Sequence, residues 1–376
     1  MAKKRVLTWH GPTKRWKKQI NGVVYYFGYG TSEKDVASYR AAEDRFLEKR
    51  RRIERITPFT VRFSEATILQ AAERFLQSDF KGMERGEIGA QHFFKRKRYV
   101  EHFVEWVDGD RRLSRLGELD LDDYRDHVLT LPKSEVTGKP ISKSTAKTML
   151  ASVHKFMRYL WEGHFVEEEF RNLRGYTHVV MPAPNVKCFT NDELKQIWIL
   201  ADRRTKCWIA LALNCGYGQK DISDLKVGEV NLVEGIIERK RSKTGVAQRH
   251  KLWDVTKELL VEFKPEDNTA ETRYFSNVNG TSLLTEAIVD DKLKKSDAIK
   301  CAFWRLLRQA KVGDGRSFYS LRKTAASEIE RINSLVTSMF LAHSERAMKK
   351  HYAQPNWEAL DQATTEMGRR FEFLRS

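Results

Sequence analysis

Cysteine is scarce in this 376-residue chain: Cys188, Cys207, Cys215 and Cys301 are scattered, and no two form a CxxC pair. That spacing argues against a thiolate zinc site or a disulfide framework, and it fits a reducing cytoplasm. No apolar run approaches the roughly 20 residues that a membrane span needs, and no signal peptide opens the chain, so no membrane partner is expected. Internal repeats and low-complexity segments are also missing. Acidic residues are the minority, 51 against 68 lysines and arginines, which leaves a formal charge of +17. A basic chain without membrane features most often meets a polyanion, and DNA is the commonest one. The competing reading is a basic soluble protein with no nucleic-acid partner. Hydrophobic residues make up 41 % of the chain, enough for two or three domains with real cores.

The charge is concentrated. Residues 1–60 hold 15 basic and 6 acidic side chains, about half of the net excess in a sixth of the length. Within them, residues 15–28 read as a β-hairpin turning at Asn21-Gly22, where both residues tolerate positive φ. Arg15, Lys17 and Gln19 alternate with Trp16, Lys18 and Ile20, and a further short strand fits Arg5–Trp9. Ser32 with Asp35 resembles a helix start, and the helix should run to about Arg55. A small basic sheet with one helix suits a ribbon that reads a DNA groove, with Arg15, Lys17 and Lys18 as contacts. The alternative is a solvated hairpin packed on its helix.

Ile56-Thr57-Pro58 breaks the pattern and begins a linker. Helices are then expected at Ser64–Asp79, Ala90–Val107, Asp120–Leu129 and Ser144–His164, with a loop at Thr137-Gly138-Lys139-Pro140. In the last helix Met149, Leu150, Val153, Phe156, Met157 and Leu160 form the apolar stripe. Lys147, Lys155 and Arg158 lie on another face, able to track phosphates or simply solvated. Residues 172–187, with Pro182 and Pro184, read as a second linker. Thr190 to Glu193 then forms a capping box, opening a mostly helical region with one strand pair around Gly235–Arg241 and Gln248–Trp253. The expected domains are 1–57, 60–171 and 186–376. The expected fold is mainly α with small antiparallel β elements.

Three segments of the last region belong together. ERKRSKTGVAQRHKLW places Lys243-Thr244-Gly245 at a hairpin turn, FYSLRKTAAS centres on Arg322, and LAHSERAMKKHYAQP sets His343 nine residues before Tyr352. In this order and spacing they resemble the tyrosine recombinase (phage integrase) family. The resemblance implies an N-terminal arm-binding module, a helical core-binding (SAM-like) domain and an α+β catalytic domain. It implies Tyr352 as the nucleophile, forming a 3′-phosphotyrosine that conserves bond energy. Arg322 and His343 would donate to the non-bridging oxygens, where charge grows in the transition state. Lys243 would protonate the departing 5′ oxygen. No metal or nucleotide cofactor is implied. The partner would be double-stranded DNA, held by a homotetramer, and the source bacterial or a mobile element. Taken singly, Tyr352 could be a packing residue, His343 a core histidine and the Lys-Thr-Gly turn ordinary.

Two positions depart from the family pattern. Its first catalytic arginine precedes an acidic residue in a segment matched here by Cys215 to Ile222. Aligning Asp221 with that acid leaves Gly218 where the arginine should stand. Arg241 is the preferred substitute cation, ahead of Arg249 and Lys220. Tyr319 stands where the second arginine's box usually begins with histidine; a phenol hydrogen-bonds phosphate but accepts protons poorly. These departures keep open a DNA-binding homologue without catalysis, acting as a regulator or accessory factor. A type IB topoisomerase shares the chemistry but fits the basic N-terminal module less well. The apolar tail Phe371, Phe373 and Leu374 would dock on a neighbouring subunit or pack on its own domain.

The concentrated N-terminal charge generates a first prediction. Deleting residues 1–57 should weaken duplex binding and flatten its salt dependence, because each lost phosphate contact reduces the counterion slope by about 0.9. A log–log salt titration checks this, and an unchanged slope removes the arm assignment.

Overall fold

The structure is a computed structural model describing residues 5–20, 23–54, 66–133, 138–166, 168–183, 185–241, 245–267, 269–289, 292–343 and 355–375. The chain divides into two compact units, 1–183 with 288–293 and 184–287 with 294–376.

In the first unit, β1 (Thr8–His10), β2 (Arg15–Ile20) and β3 (Val23–Tyr29) form an antiparallel sheet in that order. Lys18 pairs with Tyr25 and Ile20 with Val23, the register that the two-residue Asn21-Gly22 connection requires; those two residues lie outside the described set. Helix α1 (Val36–Glu54) follows. Its N-cap is Asp35, whose Oδ1 accepts the Ser38 N–H at 3.0 Å, rather than Ser32 as expected. Asp35 also accepts from the Thr31 N–H and hydroxyl. These donors hold its carboxyl down to about 2, backbone N–H groups of Ser38 and Thr31 foremost. Tyr39, Ala42 and Phe46, on one face of α1, bury Trp16 and Phe27 from the sheet.

Four longer helices carry a second core: α2 (Ile68–Glu84), α3 (Ala90–Trp106), α4 (Glu118–Thr130) and α5 (Lys143–Glu162). Thr67 caps α2 in a reciprocal box with Gln70, so that helix starts four residues later than Ser64, which lies outside the described residues. The whole expected apolar stripe of α5 is buried. Each such side chain contributes on the order of 1.5–3 kcal/mol by leaving water. The core continues into the stretch expected to be a linker: α6 (Leu173–Tyr176) buries Leu173 and Tyr176, and Val179 joins them. Only the first part of that stretch is core; the boundary between the two units falls at 183/184, beside Pro182 and Pro184.

The second unit is built around α8 (Arg203–Asn214), whose residues Cys207 to Leu213 are all buried. Around it pack α10 (Asp254–Glu262), α11 (Ala298–Gln309) and α12 (Phe318–Ile332). The unit opens on α7 (Asn191–Leu200), with the Thr190–Glu193 box in place. The three-stranded sheet runs β4 (Val230–Asn231), β5 (Ile236–Lys240), β6 (Ala247–Lys251). Buried Asn214 ties the end of α8 to this sheet, donating to the Lys251 carbonyl and accepting from the Trp253 N–H. A further strand pair, β7 (Leu284–Val289) with β8 (Lys292–Asp297), was not expected: its residues are largely exposed and lack apolar alternation. After α9 (Gln219–Ser223) and α13 (Thr337–Phe340), the last helix is α14 (Trp357–Arg370). The tail packs on its own unit: Phe371 and Leu374 are buried there, with Phe371 against Trp253. Among the described residues, no helix is long and apolar enough to cross a membrane.

Within the helical core, buried Asp79 of α2 pairs with buried Arg96 of α3 and accepts from Lys155 of α5 at 3.1 Å. Replacing Asp79 by Ala strands a guanidinium in the core, so the unfolding free energy should fall by about 3–5 kcal/mol in chemical denaturation. A loss below 1 kcal/mol would mean that water reaches Arg96 freely.

Candidate active site

The site grows from the end of α8. Gly216 takes a left-handed φ of 63°, and a Cβ there would sit 2.7 Å from the Phe340 ring. The chain then turns into α9, where the Gly218 N–H donates to Asp221 Oδ2 at 2.9 Å. Gly218 itself has ordinary backbone angles (φ −92°, ψ 177°). A Cβ would find only normal contacts at 3.6 Å, with the Asp221 carboxylate and the Tyr319 ring. Neither backbone nor space requires glycine at this position.

Asp221 is buried and faces two guanidinium groups. Arg322 of α12 approaches its Oδ2 at 3.8 Å, and Arg241, just past β5, approaches its Oδ1 at 3.7 Å. Both arginines also donate to the same carbonyl, that of Leu341, at 2.7 Å from Arg322 and 3.3 Å from Arg241. Arg322 donates in addition to the Gly216 carbonyl and hydrogen-bonds Tyr319. Burial, and then the like charge of Arg241, push the Arg322 guanidinium below its ordinary value; Asp221 and Tyr319 oppose the shift.

A third arginine, Arg239, is also buried. Arg239 donates to the Asp221 carbonyl at 2.6 Å, pairs with Glu229 at 3.5 Å and lies over the Tyr217 ring. Its strand alternates, with Ile237 and Arg239 inward and Glu238 and Lys240 outward. On β6 the inward residues are their partners His250 and Gln248. Among the described residues, no hydrogen-bond partner meets the ring nitrogens of His250 or the side-chain amide of Gln248. His250 lies edge-on to Tyr217 and Phe340, at 5.5 and 5.7 Å. Burial foremost, then the charges of Arg322 and Arg239, hold its imidazole down to about 3.

No protein-family model matches the sequence, and no curated protein matches it. Solved structures do match. A lambda integrase tetramer bound to a Holliday junction aligns with TM-score 0.56 and 12 % identity, over 95 % of this chain and 99 % of that one. A lambda integrase dimer bound to a core site gives 0.55 and 14 %, over 94 % and 96 %. The Tn1549 transposon integrase with a circular intermediate DNA gives 0.53 and 13 %, over 81 % and 99 %. The chain has the tyrosine recombinase fold.

Within that fold the expected site residues fall into distinct groups. Arg322, Arg241 and Tyr319 come together around Asp221, with Tyr319 half-exposed beside Gly218. His343 is exposed two residues beyond the shared Leu341 carbonyl. It follows Ala342, which takes a left-handed φ of 45°, and its N–H donates to the Ser338 carbonyl. Tyr352 and Lys243 lie outside the described residues. Arg249 and Lys220, the other substitute cations considered, are committed elsewhere, to Asp361 of α14 at 2.7 Å and to Asp224 at 3.0 Å.

Sequence reasoning missed Arg239 and His250, although the period of two in Glu238-Arg239-Lys240-Arg241 places both arginines on one face.

The expected DNA contacts also separate. Arg15 stacks on Tyr29 and Tyr26, at 4.2 and 5.7 Å to the ring centres, and Lys17 pairs across the sheet with Tyr26. Lys18 instead packs over Phe46 of the core and donates to the Val6 carbonyl. On α5, Lys147 is exposed, Arg158 pairs with Glu162 and Lys155 with Asp79.

An unfolded imidazole titrates near 6.5, so between that value and about 3 only the unfolded chain takes up this proton. The stability that His250 contributes is therefore complete above about pH 6.5. It declines on acidification by up to about 1.4 kcal/mol per pH unit. The unfolding free energy of His250→Gln should fall less steeply than wild type between pH 6.5 and 4, and parallel curves would mean that the buried ring is already charged.

Proposed function

We propose that this chain is a site-specific DNA recombinase or integrase that cuts and rejoins duplex DNA through a 3′-phosphotyrosine intermediate. The observation that carries the reading is the buried Arg322 guanidinium, converging with Arg241 on the Leu341 carbonyl two residues before His343. Tyr352 is the nucleophile. Its hydroxyl loses a proton as the oxygen bonds phosphorus, and the 5′ oxygen departs with a proton from Lys243, so the phosphodiester is exchanged without water or external energy. Arg322 and His343 donate to the non-bridging oxygens, and Tyr319 adds a hydroxyl to the same edge. Neither a metal nor a nucleotide is needed for this exchange.

In this reading residues 1–57 form an arm-type DNA module, 60–171 the core-binding domain and 186–376 the catalytic domain. Arg15, Lys17 and Lys147 are phosphate contacts in this reading, and Lys155 and Arg158 would exchange their carboxylate partners Asp79 and Glu162 for DNA. Exchange between two duplexes calls for a homotetramer. The Tn1549 structure, a transposon integrase, supports a mobile-element origin. One observation favours a second reading: Gly218 brings no charge to a position where the fold has room for a side chain, as expected of a homologue kept for DNA binding alone.

A nicked suicide duplex separates the two readings. The recombinase should accumulate a covalent protein–DNA adduct that Tyr352→Phe abolishes. Arg322→Ala should lower adduct formation by roughly 10²–10³ while binding is largely kept, since affinity is spread over many phosphates. Tight binding with no adduct in the wild-type chain would establish the regulator instead.

A further inference from the structure

We propose that Arg241 supplies the cation absent at Gly218, forming with Arg322 a two-guanidinium clamp for a single phosphodiester. The inference rests on the recombinase reading for its substrate, but its physical basis is the local charge.

Four observations support it. First, the charge around Asp221 does not balance. Arg239 is matched by Glu229, Lys220 by Asp224 and Arg249 by Asp361. Arg241 and Arg322 share one carboxylate, at 3.7 and 3.8 Å, and His250, near Arg322 and Arg239, is held neutral by burial and their charges. Among the described residues, the pocket thus holds one positive charge more than its acids compensate. A phosphodiester, a monoanion, fits that excess.

Second, the Arg241 side chain is largely buried, and its Nε, 3.7 Å from Asp221 Oδ1, makes no hydrogen bond among the described residues. Buried guanidinium N–H groups left unmade are costly, so a donor poised this way favours an incoming acceptor.

Third, the two guanidiniums are side by side, both anchored to the Leu341 carbonyl. Like charges in a desolvated site repel, and an anion between them relieves that repulsion.

Fourth, the anchoring is rigid. The Arg241 N–H donates to the Val246 carbonyl and its carbonyl accepts from the Gly245 N–H, so the base of the hairpin holds it rather than a free loop. A preorganised donor is what transition-state stabilisation requires. In sequence it stands two residues from Lys243, the acid of the proposed reaction.

The test uses the full chain in four forms: wild type, Arg241→Gln, Arg241→Gln with Gly218→Arg, and Arg203→Ala as a control for an exposed pair with Glu262. Two readouts are taken, adduct formation on the nicked duplex and the rise in melting temperature with inorganic phosphate. Arg241→Gln is expected to lower adduct formation by roughly 10²–10³ and to lose the phosphate-induced rise, with duplex affinity within a few-fold. Adding Gly218→Arg should recover part of both, and Arg203→Ala should change neither. If Arg241→Gln fails to fold, Arg241→Lys keeps the charge without the fork and should show a partial loss of both. A folded Arg241 variant with wild-type cleavage and phosphate response overturns the clamp. The two proposals also fail separately. A wild-type chain that responds to phosphate through Arg241 but forms no adduct keeps the clamp and loses the recombinase. An adduct that needs Tyr352 but not Arg241 does the reverse.

Discussion

Two guanidiniums, one buried and one largely so, held against one carboxylate and one carbonyl set the terms for this unit. Burying a charge without a partner costs several kcal/mol, and here the single carboxylate of Asp221 serves both Arg241 and Arg322. The remaining compensation comes from backbone carbonyls at Gly216 and Leu341, which belong to segments far apart in the chain. That arrangement explains the local geometry on either side. Gly216 must be glycine because its left-handed turn brings its carbonyl to Arg322 while Phe340 packs against its Cα. Leu341 must end α13 with its carbonyl turned inward, and the left-handed Ala342 follows directly.

The same constraint organises the sheet behind the site. A strand pair normally presents apolar side chains to the core, yet β5 and β6 present Arg239, Gln248 and His250 together with Ile237. Arg239 meets the Asp221 carbonyl and the Tyr217 ring, and His250 meets that ring edge-on, so the sheet acts as an electrostatic floor as well as a packing surface. Keeping His250 neutral there avoids adding a further positive charge to an already cationic pocket.

Much of the fold was legible because hydrophobic period and capping chemistry act locally. The α5 stripe, the Thr190–Glu193 box and the hairpin register around Asn21-Gly22 all follow from residues within a few positions of each other. The departures have separate causes. Asp35 took the cap from Ser32 through a local bond to Ser38, packing of Leu173, Tyr176 and Val179 drew the first part of the expected linker into the core, and β7–β8 formed as a largely exposed pair without alternation. In the site, the motif order pointed to Arg322 and Tyr319, but Arg239 and His250 carried no motif and emerged only from strand pairing.

By itself the sequence determined the basic charge, the order of the helical and hairpin segments, and the residue types available for phosphate chemistry, since composition and short-range periodicity are properties of the chain alone. Only the tertiary structure decided which cations share a counter-ion. In the sequence, Arg241 stands ahead of Arg249 and Lys220 only by its place two residues before Lys243. Folding neutralises Arg249 and Lys220 with Asp361 and Asp224 and leaves Arg241 beside Arg322, because charge pairing depends on distances of a few ångströms between segments up to 112 residues apart.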